Sequence, residues 1–477
     1  MIRGVLLGLL AITLTTASTS PRESARLSRR SPFALPDPFA NPATLENLSH
    51  LPHTVEVTLT ASKERIALAS GMMTDVYAYN GMSPGPTIEI REGDHVIIHF
   101  HNDLPEATTI HWHGLHIPAD QDGSPLYPVQ PGKSHDYIFN IENGTAGTYW
   151  YHPHPDMTTG YQVAKGLFGA LIIRSDADPL PASMRERIIV LADNRFTPDG
   201  SVHIPDRASM AGLIDEENGR EGDTFFLNGR VMPTIGIRSG EVQRWRIINA
   251  SASRVYRLSL GGQTFTQVGS DGGLFEHPVE MKDVFLSNSE RVEILVRGTG
   301  APGSAVTLQS LPYDRYAPQT RPKAWERPID LATLMYSSEA PVASYQIPST
   351  LRAIPVLDTL KATQTRFFAL GQGIINGKTM DMKRVDTRVK LGATEIWQIE
   401  NIVGMDHPFH LHGFRFQILD RNGVPEKDRR WKDTVNVPKH ETVRFVVKFD
   451  DFPGMWMYHC HILDHEDHGM MGILQVK

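Results

Sequence analysis

Short strand-like runs, many of them alternating between apolar and polar residues, dominate the chain from about His53 onward. Examples are Thr54 to Leu59, His95 to Phe100 and Gly169 to Ile173, and no helical pattern of comparable length occurs. Alternation with a period of two is typical of strands with one buried face. Regularly spaced short strands favour β-sandwiches, so the pattern predicts an all-β fold.

A motif of turn, strand, turn and strand recurs three times, which indicates repeated domains. Its copies begin at Asn80-Gly81, Asn228-Gly229 and Asn376-Gly377, and the first two continue with Pro-Thr-Ile and then Gly-Asp or Gly-Glu. The length of 477 residues also agrees with three domains of roughly 150 residues each. We therefore expect three related sandwiches rather than one large sheet.

The boundaries follow from the repeat and from proline-rich composition between its copies. We predict the following segments: a signal peptide at 1–20, a linker at 21–45, sandwiches at 46–176, 185–300 and 355–477, and a connecting segment at 301–354.

The net charge of the chain limits its possible binding partners, and the N-terminal residues indicate its cellular compartment. The net charge is −7 and no basic run occurs, which argues against nucleic acid as a partner. Met1 to Ser20 reads as a secretory signal with Arg3 before an apolar run that is too short to span a bilayer comfortably. We expect a periplasmic or secreted protein without a membrane anchor after removal of the signal.

Five His-x-His pairs occur among the 21 histidines; His99/His101 is assigned no role, and the other four stand out. On a strand, both histidines of such a pair point to one side. One pair is weak support for a metal site, but two pairs in the first predicted sandwich and two in the third could hold a metal cluster between them. Imidazole binds zinc, iron, nickel and copper alike, so these pairs do not name the metal. The pairs are His111/His113, His152/His154, His410/His412 and His459/His461.

Cys460, the only cysteine, lies between His459 and His461. Strand alternation directs its sulfur to the face opposite the two imidazoles, where other ligands could complete a second site. The residues available for it are His407, His465 and Met470. Thiolate, imidazole and a distant thioether suit copper, whereas a structural zinc site would use more thiolates. The short covalent path through Cys460 predicts electron transfer between two copper sites.

These motifs resemble those of the multicopper oxidases, and the three-domain organisation is most similar to the bacterial laccase group. The resemblance implies three cupredoxin-like Greek-key β-sandwich domains in tandem and four copper ions. It further implies that donor electrons enter at type 1 copper and that dioxygen is reduced to water at a trinuclear cluster. The motifs are His111-Trp112-His113-Gly114, Tyr151-His152-Pro153-His154, the run from His407 to Gly413, and the run from His459 to His465 with Met470.

The resemblance also implies a role for each ligand. The expected type 1 ligands are His407, Cys460, His465 and Met470. The expected type 2 ligands are His111 and His410. The expected ligands of the type 3 pair are His113, His152, His154, His412, His459 and His461.

Two acidic residues align with proton donors of the family. Asp122 follows His113 in an Asp-Gly-Ser-Pro turn, and Glu466 directly follows His465. Dioxygen reduction needs protons delivered into a closed site, which gives such carboxylates a chemical purpose. The alternative is that Asp122 only forms a turn and Glu466 only solvates a strand end.

The sequence says less about the electron-donating substrate than about the metal site. Copper-efflux oxidases of the family carry a methionine-rich insertion and acidic residues near type 1 copper, but His116 and Val403 occupy two of those acidic positions here. We therefore expect a laccase-like oxidase of phenols, aromatic amines or metal ions, with a cuprous oxidase as the alternative. A non-enzymatic scaffold of the same fold is the alternative from another class, and the complete ligand set argues against it.

Overall fold

A computed structural model describes residues 38–68 and 71–477. Within these residues the chain is mostly strand, and the strands pair into six sheets that form three sandwiches. The prediction of an all-β fold is confirmed. The predicted signal peptide lies outside the described residues. None of the helices in the described part of the chain is long and apolar enough to cross a membrane.

The first sandwich consists of two four-stranded sheets, with strand orders β2-β1-β4-β6 and β3-β8-β7-β5. Leu59, Ile98 and Leu171 belong to the buried cluster that the two sheets share. The strands are β1 (Thr54–Leu68), β2 (Met72–Tyr79), β3 (Gly85–Arg91), β4 (His95–Asn102), β5 (His111–His113), β6 (Ser134–Asn140), β7 (Gly147–His152) and β8 (Gly169–Arg174).

The second sandwich has strand orders β10-β9-β12-β17-β14-β15 and β11-β19-β18-β13-β16. Trp245, Leu258 and Ile294 lie in its core. The strands are β9 (Glu186–Asn194), β10 (Thr224–Leu227), β11 (Thr234–Ile237), β12 (Val242–Asn249), β13 (Tyr256–Leu260), β14 (Phe265–Ser270), β15 (Gly273–Met281), β16 (Val284–Leu286), β17 (Arg291–Arg297), β18 (Ala305–Ser310) and β19 (Ile329–Tyr336).

The third sandwich has strand orders β21-β20-β23-β28-β25-β26 and β22-β30-β29-β24-β27. Trp397, Phe409 and Phe445 lie in its core. The strands are β20 (Ala362–Gly371), β21 (Ile374–Ile375), β22 (Thr387–Val389), β23 (Thr394–Asn401), β24 (His407–Leu411), β25 (Phe416–Arg421), β26 (Val424–Pro425), β27 (Thr434–Val437), β28 (Thr442–Lys448), β29 (Gly454–Cys460) and β30 (Met471–Val476).

One part of the predicted domain organisation needs correction. β18 and β19 lie inside the segment 301–354 that we predicted as a connection, yet they pair with each other and complete a sheet of the second sandwich. The proline-rich stretch between the two strands obscured their strand pattern in the sequence. The other predicted boundaries remain predictions.

The repeated Asn-Gly pair forms the same turn in each sandwich. The φ angles of Asn80, Asn228 and Asn376 are 50°, 51° and 53°, and the glycine that follows has a φ of 75°, 74° or 71°. Two successive residues with positive φ are typical of a type I′ turn, which asparagine and glycine tolerate best. Each asparagine side chain also accepts a backbone N–H from a neighbouring strand, from Thr60, Val190 and Ala369 respectively.

Three short α-helices lie in the loops between strands, together with a 3₁₀ helix at Thr359–Lys361. They are α1 (Thr159–Ala164), α2 (Met210–Asn218) and α3 (Leu463–Asp467). Both α1 and α2 pack against α3, which begins three residues after Cys460. The helices therefore cluster around the C-terminal end of β29.

Candidate metal centres

The thiol of Cys460 lies in a buried site with two histidines. Its Sγ is 3.4 Å from Nδ1 of His407 and 3.6 Å from Nδ1 of His465. His407 begins β24, while His465 lies on α3, so strand pairing and the helix together bring them to the sulfur. Met470 is fully buried in the same core cluster, and its carbonyl accepts the N–H of Cys460 at 3.0 Å. The four predicted type 1 ligands thus lie in one region.

A second centre gathers all eight histidines of the four pairs. Antiparallel pairing places His111 on β5 opposite His152 on β7, and His410 on β24 opposite His459 on β29. The two halves meet between the first and third sandwiches, where Nε2 of His111 is 3.4 Å from Nε2 of His410. In three pairs the second histidine lies beyond the last strand residue, so the pairs are only partly held by strand geometry. These three are His154, His412 and His461.

The donor atoms in both centres fit a metal. Groups of three side chains have their nitrogen or sulfur atoms within 4.8 Å of one another and are buried. Nδ1 of His113, Nε2 of His152 and both ring nitrogens of His461 are buried without a hydrogen-bond partner. An unpaired buried polar atom is costly, and a metal ion would satisfy such atoms. The groups include His111/His410/His412, His111/His113/His152, His154/His412/His459 and His407/Cys460/His465.

The protonation states of most imidazoles at the two centres also favour metal binding. Burial lowers the pKa of His154 and of His465 to about 4. Burial and the neighbouring histidines lower the pKa of five further imidazoles well below the usual value. Neutral imidazoles carry a free lone pair for a metal. Burial raises the pKa of the Cys460 thiol, so its thiolate needs a cation beside it. The five imidazoles are those of His113, His152, His410, His412 and His461.

Both predicted proton donors contact the histidine cluster. Nδ1–H of His412 donates to Oδ2 of Asp122 at 2.7 Å, and the Asp122 carbonyl accepts from Nδ1 of His111 at 2.8 Å. Glu466 lies 3.1 Å from Nδ1 of His459 and 3.4 Å from Nδ1 of His154. Glu466 is 2% exposed, so the alternative in which it solvates a strand end was wrong. The role of each carboxylate in proton transfer remains a prediction.

Three residues at these centres were not predicted from the sequence. Asp433 contacts His113, Arg291 contacts Asp433, and the backbone carbonyl of Glu217 accepts from Nε2 of His465. Asp433 stands in a Trp-Lys-Asp-Thr run, and Arg291 and Glu217 belong to a predicted sandwich without ligands. No spacing links them to the histidine motifs, so only the tertiary fold reveals them.

Known proteins of similar sequence and structure include multicopper oxidases and laccases. Three family models, each described as multicopper oxidase, match residues 60–178, 197–338 and 350–477. The multicopper oxidase mco of Staphylococcus aureus is 32% identical over 430 residues, which is 88% of each chain. A laccase of Bacillus subtilis is 28% identical over 460 residues, covering 83% of this chain and 89% of its own. A solved multicopper oxidase from Campylobacter jejuni, described as a metallo-oxidase, has a TM-score of 0.84 at 34% identity and covers 93% of this chain and 96% of its own.

Proposed function

The chain belongs to the multicopper oxidase family, and on that premise we propose that it couples one-electron oxidation of a phenol, an aromatic amine or a metal ion to the four-electron reduction of dioxygen to water. It is a copper-dependent oxidoreductase with dioxygen as its acceptor. The position of Cys460 carries the proposal. Its thiol lies beside His407 and His465, while the adjacent His459 and His461 belong to the histidine cluster.

The proposal assigns four copper ions to these side chains. His407, Cys460, His465 and Met470 form the type 1 site, and the eight paired histidines form the trinuclear site. When bound, copper supplies electron acceptance at the first site and dioxygen reduction at the second. We further propose that the mature protein is periplasmic or secreted.

The protein's own groups provide the route between the two sites. The path from Sγ of Cys460 to either neighbouring imidazole runs only through the backbone and side-chain bonds of adjacent residues. Pairing of β29 with β24 and β30 fixes the path to His459. His461 lies just beyond β29, and its N–H donates to the carbonyl of Pro408 at 2.7 Å. A rigid covalent path keeps the distance between the two sites constant.

Protons must reach a cluster that is closed to bulk water, since all eight histidines are fully buried. Glu466 touches two of these histidines and Asp122 touches two others. In the proposed mechanism the Asp122 carboxylate orients His412 by accepting a hydrogen bond from its Nδ1–H, and Glu466 lies beside Nδ1 of His459 and of His154. Each carboxylate holds protons at its oxygen atoms for delivery to the reacting oxygen.

Phenols and aromatic amines are the first candidate donors, because the chain lacks the methionine-rich segment expected of cuprous oxidases. Cuprous ion is the second candidate, and the position of His465 favours it. His465 is 2% exposed, and its outer nitrogen is bonded to the carbonyl of Glu217 on α2. A small cation can approach such a covered edge more closely than an aromatic ring can.

Steady-state rates of oxidation of dimethoxyphenol and of cuprous ion by the copper-loaded protein distinguish between the two candidate donors. Efficient turnover of the phenol supports the laccase-like proposal. Negligible phenol turnover beside fast cuprous oxidation reverses the order of the candidates. Absence of oxygen consumption with either donor contradicts the proposed function.

A further inference from the structure

Arg291 connects the second sandwich to the histidine cluster, although none of the predicted ligands comes from that sandwich. The residue begins β17, and its side chain is completely buried. Nη1 donates to Oδ1 of Asp433 at 2.8 Å, and Nη2 donates to Oδ2 of the same carboxylate. A bidentate pair of this kind fixes the carboxylate plane as well as its position.

The remaining donors of Arg291 are also used. Nε donates to the carbonyl of Thr148 at 3.1 Å, Nη1 to that of Ser289 at 3.1 Å and Nη2 to that of Asp271 at 3.1 Å. Thr148 belongs to the first sandwich and Asp433 to the third. One guanidinium therefore joins all three sandwiches through five hydrogen bonds. A lysine has only three donors and cannot form the bidentate pair in the same plane.

Asp433 in turn contacts two histidines of the cluster. Nε2–H of His113 donates to Oδ1 at 3.1 Å, and Nδ1 of His410 donates to the backbone carbonyl at 2.9 Å. A carboxylate only accepts hydrogen bonds, so the proton of His113 must be on Nε2. The lone pair is then on Nδ1, the ring nitrogen that is buried without a partner.

The backbone beside His113 makes room for this arrangement. Gly114 has a φ of 87°, and a Cβ there would overlap both the Asp433 carboxylate and the Arg291 guanidinium. The glycine of the His-Trp-His-Gly motif thus allows the ion pair to lie directly against the strand end that carries the ligand.

Asp433 is close enough to His113 and His410 to be considered a metal ligand itself. Both of its oxygen atoms are, however, bonded to Arg291, and Oδ1 also accepts from Thr434 at 3.0 Å. An oxygen already held by a guanidinium is a poor donor to a cation. The carboxylate is better suited to orient the histidines than to bind metal.

We propose that Arg291 and Asp433 are a positioning pair, through which the second sandwich fixes the ring orientation and the Nε2–H tautomer of His113 for binding to type 3 copper. This inference rests on the proposed copper assignment. Orientation of a ligand histidine by a buried carboxylate is worth about 10- to 100-fold in metal affinity.

Asp433→Asn and Arg291→Lys test the pair, and Glu293→Gln is the matched control. An amide at position 433 must place its NH₂ against either Arg291 or His113, so it disturbs the tautomer. Glu293 is an equally buried carboxylate, and its polar partners within residues 38–68 and 71–477 are Arg244, Arg246 and Thr148 rather than a histidine. The full-length proteins are loaded with copper and then titrated with a competing chelator, and the blue absorbance of the type 1 site is recorded per chain.

We expect both test variants to release cluster copper at about 10- to 100-fold lower chelator concentration while retaining the blue absorbance, and the control to release it as the wild type does. Unchanged release in Asp433→Asn overturns the proposal. If a test variant loses the blue absorbance together with the cluster copper, the pair has a general structural role and the proposal is overturned. The same conclusion follows if Glu293→Gln releases cluster copper as easily as the test variants do. A wild-type protein that binds no copper would refute the proposed function instead.

Discussion

Nε2 of His465 donates a hydrogen bond to the backbone carbonyl of Glu217, 3.0 Å away. Nδ1 of the same ring faces the sulfur of Cys460. The imidazole therefore joins the proposed type 1 site to helix α2 of the second sandwich. On the proposed function, we expect electron donors to approach this site at the surface around α2.

Loosening α2 should admit larger donors. The hydroxyl of Ser209 accepts the N–H of Gly212 at 3.0 Å and caps the helix. Ser209→Ala removes this cap, which costs about 1 kcal/mol of helix stability. We expect a lower KM for a bulky phenol with unchanged copper content, and Ser209→Asp, which restores a capping oxygen, as the control. An unchanged ratio of bulky to small phenol turnover would show that α2 does not limit access.

Replacing the thiol should separate the two centres. Cys460→Ser keeps the size of the side chain but removes the sulfur that His407 and His465 face. We expect loss of the blue absorbance and of donor oxidation, with copper retained by the histidine cluster. Copper analysis and a visible spectrum check this outcome, and a blue, active variant would refute the assignment of Cys460.

Neutralising Glu466 should slow the oxygen reaction selectively. The carboxylate touches His154 and His459 but not the thiol site. Glu466→Gln is therefore expected to slow reoxidation by dioxygen more than reduction by the donor, in separate stopped-flow measurements. Glu216→Gln is the control, because its carboxylate pairs with His468 outside the cluster. Equal slowing of both half-reactions would rule out a proton relay through Glu466.

The first sandwich should carry a pH-dependent contribution to stability. Hydrogen bonds from His99 to Glu56 and Asp136 raise the pKa of its imidazole above 6.5. Because the pKa of His99 is higher in the folded state, protonation of His99 stabilises the folded protein. This stabilisation is fully present below about pH 6.5 and is lost as the pH rises through the higher pKa of the folded state. The ring is 40% exposed, so the effect should stay below about 1 kcal/mol.

His99→Gln tests this expectation through Tm measured against pH. We expect the variant to lose stability relative to the wild type at acidic pH and to match it more closely at alkaline pH. His95→Gln is the control, because Nδ1 of His95 forms its hydrogen bond with the neutral side chain of Asn140, 2.8 Å away. A difference between His99→Gln and wild type that does not vary with pH would disprove the charge-based explanation.

Local sequence predicted the parts of the molecule that local chemistry determines. The Asn-Gly turns follow from backbone preferences, and the separation of Cys460 from His459 follows from strand alternation. The sequence did not predict β18 and β19, because their proline-rich surroundings obscured the strand pattern. It also did not predict Arg291, Asp433 or Glu217, because their contacts join distant segments: Arg291 and Asp433 are 142 residues apart.

We propose that one chain holds a type 1 site at Cys460 and a trinuclear site at the histidine pairs. Copper content and the visible spectrum of the purified, copper-loaded wild-type protein test it most directly. We expect four copper ions per chain and an intense blue band that disappears on reduction. A colourless protein, or one that binds copper only in the histidine cluster, would contradict it.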